Sequence, residues 1–361
     1  MSKHNTRTAH QSRRRFLMAS GAVLVGSSLA ACDSKSPAPP APAPAVTPAP
    51  PSAPTPIALH VGLNPWPGVM PLMTAVEHGL YKGNGLDLKV TLFASISQMM
   101  EAFNARRIDA TIIDPGTLLV SAASGIAQKF VFVTDFSNGA DAIVVADSVK
   151  SIKDFKGQKV SAEVGSIGHF LLLTALKSAG LDAKDVKLSN QTADQALAAF
   201  ASGNTRIAVS YEPFISQAMG KRKARVIFST RDAPIAPDVL SMHQDFLDKN
   251  PEATGRFIKT WYDTLAWREK NMDAAVAVEA KALDVKPEDF KGLSDGVRII
   301  ADPAEVLKYL STGNADGPSL EKAATELGAF LRAQKLLDKD PPALTSLIDT
   351  SALEKYLASR A

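Results

Sequence analysis

Two stretches place a carboxylate directly before a proline at the end of an apolar run: Asp114-Pro115 after Ile108–Ile113, and Glu212-Pro213 after Arg206–Tyr211. Proline suits the first position of a helix, so each acid is expected where a strand ends and a helix begins. A carboxylate there can accept hydrogen bonds from ligand N–H or cationic groups. A third stretch, Gly165-Ser166-Ile167-Gly168, precedes a helical run. The first N–H groups of a helix lack internal partners and, with the helix dipole, favour an anion. His169 stands one turn further on the same face. A solute with an acidic and an amino or amide end would satisfy both kinds of group. Each residue also has a plain structural role open to it: Ser166 and Asp114 as helix N-caps, His169 as a packed ring.

Other candidates are neutral or aromatic. Trp66 lies between two prolines after the first apolar run and can form a wall against an apolar part of a ligand. Asn64 stands two residues before it, Ser97 and Gln98 are expected to open a helix, and Tyr211 stands beside Glu212. Asp141 follows Gly139-Ala140, where the chain is expected to cross between two lobes, so it can serve either a ligand or a hinge. Nothing resembles a catalytic or metal cluster. His60, His78, His169 and His243 are scattered with no His-Glu-x-x-His spacing, and Ser166 with His169 at i,i+3 is a common chance pairing. We therefore expect no enzyme activity, no metal and no cofactor.

The amino terminus carries a different chemistry. Ser12-Arg13-Arg14-Arg15-Phe16-Leu17 and the apolar run to Ala31 resemble a twin-arginine export signal. The run is too short for a spanning helix, which needs about 20 apolar residues. Leu29-Ala30-Ala31-Cys32 resembles a bacterial lipobox, and Cys32 is the single cysteine of the chain, so no intramolecular disulfide can form. Residues 1–31 are expected to be the signal peptide, with Cys32 acylated as the first mature residue. An aspartate after the cysteine, here Asp33, favours retention at the inner membrane in enterobacterial lipoproteins. Residues 32–56, rich in proline and alanine, cannot bury a core and form a tether. Five of the 40 basic residues lie in residues 1–31, which hold no acidic one, leaving 35 against 37. That near-neutral balance offers no footprint for nucleic acid.

From Ile57 onward, strand-length apolar runs alternate with helical periodicity, the pattern of an α/β fold. Strands are expected at Ala58–Leu63, Leu86–Phe93, Ile108–Asp114, Phe130–Asp135, Ile143–Ala146, Lys159–Ala162, Arg206–Tyr211, Arg225–Phe228 and Val239–His243. Helices are expected at Ser166–Ala179 and Thr192–Ser202. After about Asp245 the strand signal gives way to helices such as Pro251–Lys270 and Ser319–Lys335. The length suits two lobes: 57–140 for the first part of lobe 1, 141–236 for lobe 2, and 237–361 for the rest of lobe 1 and the C-terminal helices. The stretches from Phe103 to Pro115 and from Phe200 to Pro213 are distant copies of one pattern, helix, turn, strand, acid and proline. Ligands of open α/β sheets gather at such strand ends.

Several motifs in a fixed order then carry a resemblance. They are Pro65-Trp66-Pro67-Gly68, Glu77-His78-Gly79-Leu80-Tyr81, Ile108-Asp109-Ala110, Gly139-Ala140-Asp141-Ala142-Ile143-Val144, Ser151-Ile152-Lys153-Asp154-Phe155-Lys156-Gly157 and Tyr211-Glu212-Pro213. Over residues 57–230 the chain resembles the nitrate/sulfonate/taurine branch of periplasmic binding proteins. The resemblance implies a two-lobed type II fold, each lobe a mixed sheet flanked by helices, with a helical C-terminal region. It also implies a monomer that captures a small solute and hands it to an ABC permease and its ATPase at the periplasmic face of the inner membrane. Its cleft contacts would be Asn64, Trp66, Ser97, Gln98, Asp114, Asp141, Ser166, His169, Tyr211 and Glu212. Thr205-Arg206-Ile207 stands where relatives have Val-Asp-Ala. Two alternatives share the expectation of a bound ligand: an enzyme like the thiamine-pyrimidine synthases, which rely on a cysteine-rich segment missing here, and a ligand-sensing lipoprotein.

Overall fold

A computed structural model describes residues 55–233, 237–311 and 318–360. Cys32, the signal stretch and nearly all of the tether lie outside the described residues. The strands build two sheets. The first sheet begins with β1 (Ile57–Leu63), β2 (Leu86–Leu92), β3 (Ala110–Ile113) and β4 (Gln128–Ser137). The chain then crosses and lays down the whole second sheet: β5 (Asp141–Ala146), β6 (Lys159–Ala162), β7 (Lys187–Asn190), β8 (Ile207–Tyr211) and β9 (Ala224–Ser229). It returns as β10 (Pro237–His243) and adds β11 (Val297–Ile299) at an edge.

The strand orders are β11-β4-β10-β3-β1-β2 and β7-β6-β8-β5-β9. In each sheet three strands run parallel, and the strand arriving from the other sheet inserts antiparallel beside the third. This is the two-lobed periplasmic binding protein architecture. The inserted strands matter most for function. Because β5 and β10 run against the parallel set, their first residues, Asp141 and Pro237-Asp238, lie at the edge where the parallel strands end.

Helices α1 (Pro71–Glu77), α2 (Ile96–Asn104) and α3 (Pro115–Ala123) link strands of the first sheet, while α4 (Ile167–Ser178), α5 (Ala193–Ala201) and α6 (Phe214–Met219) serve the second. A helical region follows: α7 (Gln244–Lys249), α8 (Ala253–Lys270), α9 (Met272–Ala282), α10 (Pro287–Ser294), α11 (Pro303–Leu310), α12 (Leu320–Ala333), α13 (Leu344–Leu347) and α14 (Ser351–Ala358). Central strands such as β5 are buried along their whole length, as expected for strands covered by helices on both faces. On the first sheet, Phe132 meets Phe257, Trp261 and Tyr262 of α8 edge-on. Burying a phenylalanine side chain there contributes roughly 1.5–3 kcal/mol. No helix among the described residues is long and apolar enough to cross a membrane.

The structure corrects the sequence expectations in a few places. The four-residue β7 was not anticipated, and β11, only three residues long, breaks the purely helical character expected after Asp245. Pro251–Lys270 is helical only from Ala253, with the separate α7 before it. Ser95, not Ser97 or Gln98, opens α2, accepting the Gln98 N–H at 3.2 Å. Pro115 does start α3, but Pro213 precedes α6, which begins at Phe214.

The crossings are tied together. The Thr230 hydroxyl accepts the Gly139 N–H at 2.7 Å and bonds the Ser137 hydroxyl at 2.8 Å, and Arg231 Nε donates to the Asn138 carbonyl at 2.9 Å. Gly139 has φ +113°, and a Cβ there would lie 2.7 Å from Arg231 Nε. Only glycine meets both conditions.

Candidate functional site

A partly open cleft cavity lies between the two sheets, at their facing strand ends. From the first sheet come Asn64 after β1, Trp66, Asp114 after β3 and Asp238 at the start of β10; from the second come Asp141, Glu163 after β6, Ser166 and Tyr211. It leaves about 40 Å³ for the centres of water molecules, against roughly 10–15 Å³ for one water. A wider recess of about 250 Å³, on the same measure, adjoins it and shares Ile96, Glu163 and Ser166 with it. Between the lobes, the Ser97 hydroxyl donates to Glu163 at 3.0 Å.

Each lining group is held by its own element. Asp114 caps α3, its two oxygens accepting the Thr117 N–H at 2.9 Å and the Thr117 hydroxyl at 2.7 Å. Trp66 donates Nε1–H to Asp135 Oδ1 at 2.8 Å, and its ring meets Tyr211 edge-on at 6.0 Å. That position of Asp135 requires Gly68, where a Cβ would lie 2.3 Å from the carboxylate. Asn64 lines the cavity beside Trp66 and Tyr211, and the Trp66–Tyr211 contact makes this wall join both lobes. Ser166 caps α4 by accepting the His169 N–H at 3.3 Å and donates to the Glu163 carbonyl at 2.7 Å. Ile167 and Gly168, the first residues of α4, line the cavity as well.

The electrostatics are one-sided. Among the described residues four carboxylates line the cavity, and no lysine, arginine or histidine does. Burial pushes Asp141 up to about 7, with Asp114 and Asp135 adding to the rise. Asp135 is raised to about 6 by burial. Burial also raises Asp114, Glu163 and Asp238, the last reinforced by the neighbouring aspartates. At about 6 Å and an effective dielectric of 20, one ionised carboxylate repels an anion by roughly 3 kcal/mol. A helix N-terminus attracts it by about 0.3–1 kcal/mol, and by at most about 2. Each of these acids that is ionised thus makes the wall favour positive over negative charge, and a bound cation would draw their protons off.

Of the residues singled out in the sequence, Asn64, Trp66, Asp114, Asp141, Ser166 and Tyr211 meet at the cavity. Ser97 lines only the outer recess. Three others are placed elsewhere. Gln98 lines neither space. The His169 ring packs edge-on against Phe330 of α12 at 5.2 Å, its Nδ1 accepts the Gly165 N–H at 3.3 Å, and burial lowers its pKa to about 4, so it stays neutral. The Glu212 carboxylate turns onto α6, accepting from the Ser216 N–H at 3.0 Å and its hydroxyl at 2.9 Å. Glu163 and Asp238 were not singled out. Glu163 directly follows an expected strand, so the strand-end rule applied to Asp114 reaches it too. Asp238 starts an inserted strand, which is visible only once the crossing is known. Among the described residues no three His, Cys, Asp or Glu side chains come together as a metal ion requires.

A family model described as NMT1-like matches residues 52–282. A protein of Escherichia coli K12 named for binding aliphatic sulfonates is 27% identical over 233 residues, 63% of this chain and 72% of that protein. The taurine-binding periplasmic protein of the same organism is 22% identical, covering 70% of this chain and 79% of its own. Among solved structures, the alkanesulfonate-binding protein SsuA of Xanthomonas axonopodis bound to MOPS has a TM-score of 0.69 at 19% identity, over 83% of this chain and 100% of that one. The desulfurization enzyme DSZB has the same fold, with a TM-score of 0.65 at 18% identity over 84% of this chain and 100% of that one.

Proposed function

The chain belongs to the NMT1-like family, and from that premise we propose that it is the substrate-binding component of an ABC importer, working outside the cytoplasmic membrane. It captures a small polar organic solute, taurine-like, sulfonate-like or a related nitrogen compound, by closing its lobes, and delivers it to the permease. The observation that carries this reading is the cleft cavity at the facing strand ends, lined from both sheets. Contacts with the solute come from Asn64, Trp66, Asp114, Asp141, Ser166 and Tyr211. The lobes divide at the two crossings, near residues 140 and 236. The protein is a monomer, exported by the twin-arginine route and anchored through Cys32 at the periplasmic face of the inner membrane.

A relative in fold is an enzyme, so turnover belongs in the test. A cognate solute should raise thermal stability by RT ln(1 + [L]/Kd), about 2.7 kcal/mol at a hundredfold excess over Kd, and be recovered unchanged by mass analysis. Conversion of the solute would make the protein an enzyme instead. Intact mass of the same membrane-derived preparation reads the anchor: a chain that begins before Cys32, or carries no acyl group, rejects it.

A further inference from the structure

Three of the proteins compared above are named for binding sulfonates or taurine, yet the cavity of this chain is walled by acids. We propose that the solute is a compact organic cation, a primary ammonium or an amidinium, held between Asp141 of one lobe and Asp114 and Asp238 of the other, and that an anionic end is not required. This rests on the cavity being the solute site.

The placement of the three aspartates is the first support. Asp141 opens β5 opposite Tyr211, and Asp238, second in β10, stands opposite Asp135. Asp114 closes β3. Both inserted strands therefore carry an acid at the cavity within their first two residues, one from each lobe, so closure brings acids to a cation from two sides. The second support is their unused capacity. Asp141, 8% exposed, receives one side-chain hydrogen bond, from Ser137. Asp238 has no hydrogen-bond donor on its carboxylate and no basic neighbour acting on it among the described residues. Carboxylates accept several hydrogen bonds, and a multi-donor cation would supply them. Among the described residues no three ligating side chains come together as a metal ion requires, so an organic cation is the occupant proposed. The rings of Trp66 and Tyr211 complete a wall that suits a cation.

The test uses the full chain and three probes in calorimetry: acetamidinium, a cation; taurine, a zwitterion; and ethanesulfonate, an anion. Acetamidinium and taurine should each bind at least tenfold more tightly than ethanesulfonate. Asp141→Asn, and independently Asp238→Asn should the first variant not fold, should weaken acetamidinium about ten- to a hundredfold while ethanesulfonate binding holds or improves. Ethanesulfonate binding as tightly as acetamidinium to the unaltered protein overturns the charge assignment and leaves a binding protein. Equal losses for cation and anion in the variants overturn it too, since a merely structural acid would act that way. No saturable binding of any probe overturns both this assignment and the reading of the cavity.

Discussion

Asp114-Pro115 and Glu212-Pro213 are the same corner written twice, once in each lobe, and they end differently. In the first lobe the short acid caps α3 with Thr117 and still lines the cavity. In the second the longer side chain reaches past its proline to Ser216 and leaves the cavity to Tyr211 and Asp141. One extra methylene, and a helix that starts one residue later, decide whether a carboxylate faces a ligand or its own helix. A repeat in sequence does not guarantee a repeated backbone path: the Glu212-Pro213 peptide is cis and the Asp114-Pro115 peptide is not, and the side chain's destination depends on which N–H groups lie within its reach.

The largest effect that could break this comparison is a pH effect. Asp141 is raised by burial first, and by Asp114 and Asp135 beside it; Glu212 does not act on it. Its folded pKa of about 7 lies above the unfolded value of 3.8. The folded state therefore keeps a proton that the unfolded chain releases. The stabilisation is complete below pH about 4 and is lost as pH rises toward 7, by about 4 kcal/mol at roughly 1.36 kcal/mol per unit. Denaturant unfolding across this range should give that decline in the ligand-free protein. Asp141→Asn should remove the Asp141 share of the decline and leave the part that Asp135 and the other raised acids contribute, Asp114→Asn should move its midpoint to lower pH, and Glu212→Gln should leave the midpoint in place. A midpoint that follows Glu212→Gln would mean that the two corners act alike.

Trp66→Phe comes next. It keeps an aromatic wall but removes the Nε1–H from Asp135, a fully buried acid left with the Thr134 hydroxyl. Leaving a buried acceptor short of a partner costs about 1–3 kcal/mol, and the loss should appear in the denaturation midpoint. Unchanged stability would mean that the acids of the first lobe do not depend on the tryptophan.

Glu212→Gln should have the smallest effect. Glutamine can accept the Ser216 N–H through its one oxygen and donate from its NH2 to the Ser216 hydroxyl, so the main loss is the favourable charge at the start of α6, about 0.5 kcal/mol, and solute affinity should stay within twofold. A tenfold loss of affinity would return Glu212 to the cavity.

How much of this was legible follows from what carries each signal. β1, β3, β5 and β8 read clearly because covered strands are continuous apolar runs. β11, Val297–Ile299, is too short and only half-buried to stand out beside its helices, and β7 is largely exposed, so its sequence looks like a loop. Trp66 and Asp114 were legible as site residues because each follows a strand end. A packed ring was one of the two roles the sequence left open to His169, but its partner was not legible, because Phe330 lies 161 positions away. Asp238 has no local motif; it reaches the cavity through the topology of β10.

That topology also sets an order of assembly. The second sheet uses residues 141–229 in one uninterrupted stretch, so every partner it needs has been synthesised before β10 appears. The first sheet cannot close by then. β3 and β4 stand on either side of an open slot until residues 237–243 arrive to fill it. A nascent chain would thus carry a complete inner lobe inside an unfinished outer one, with two strand edges waiting for a partner. Export of a chain already folded would spare those edges a journey through the membrane unpaired.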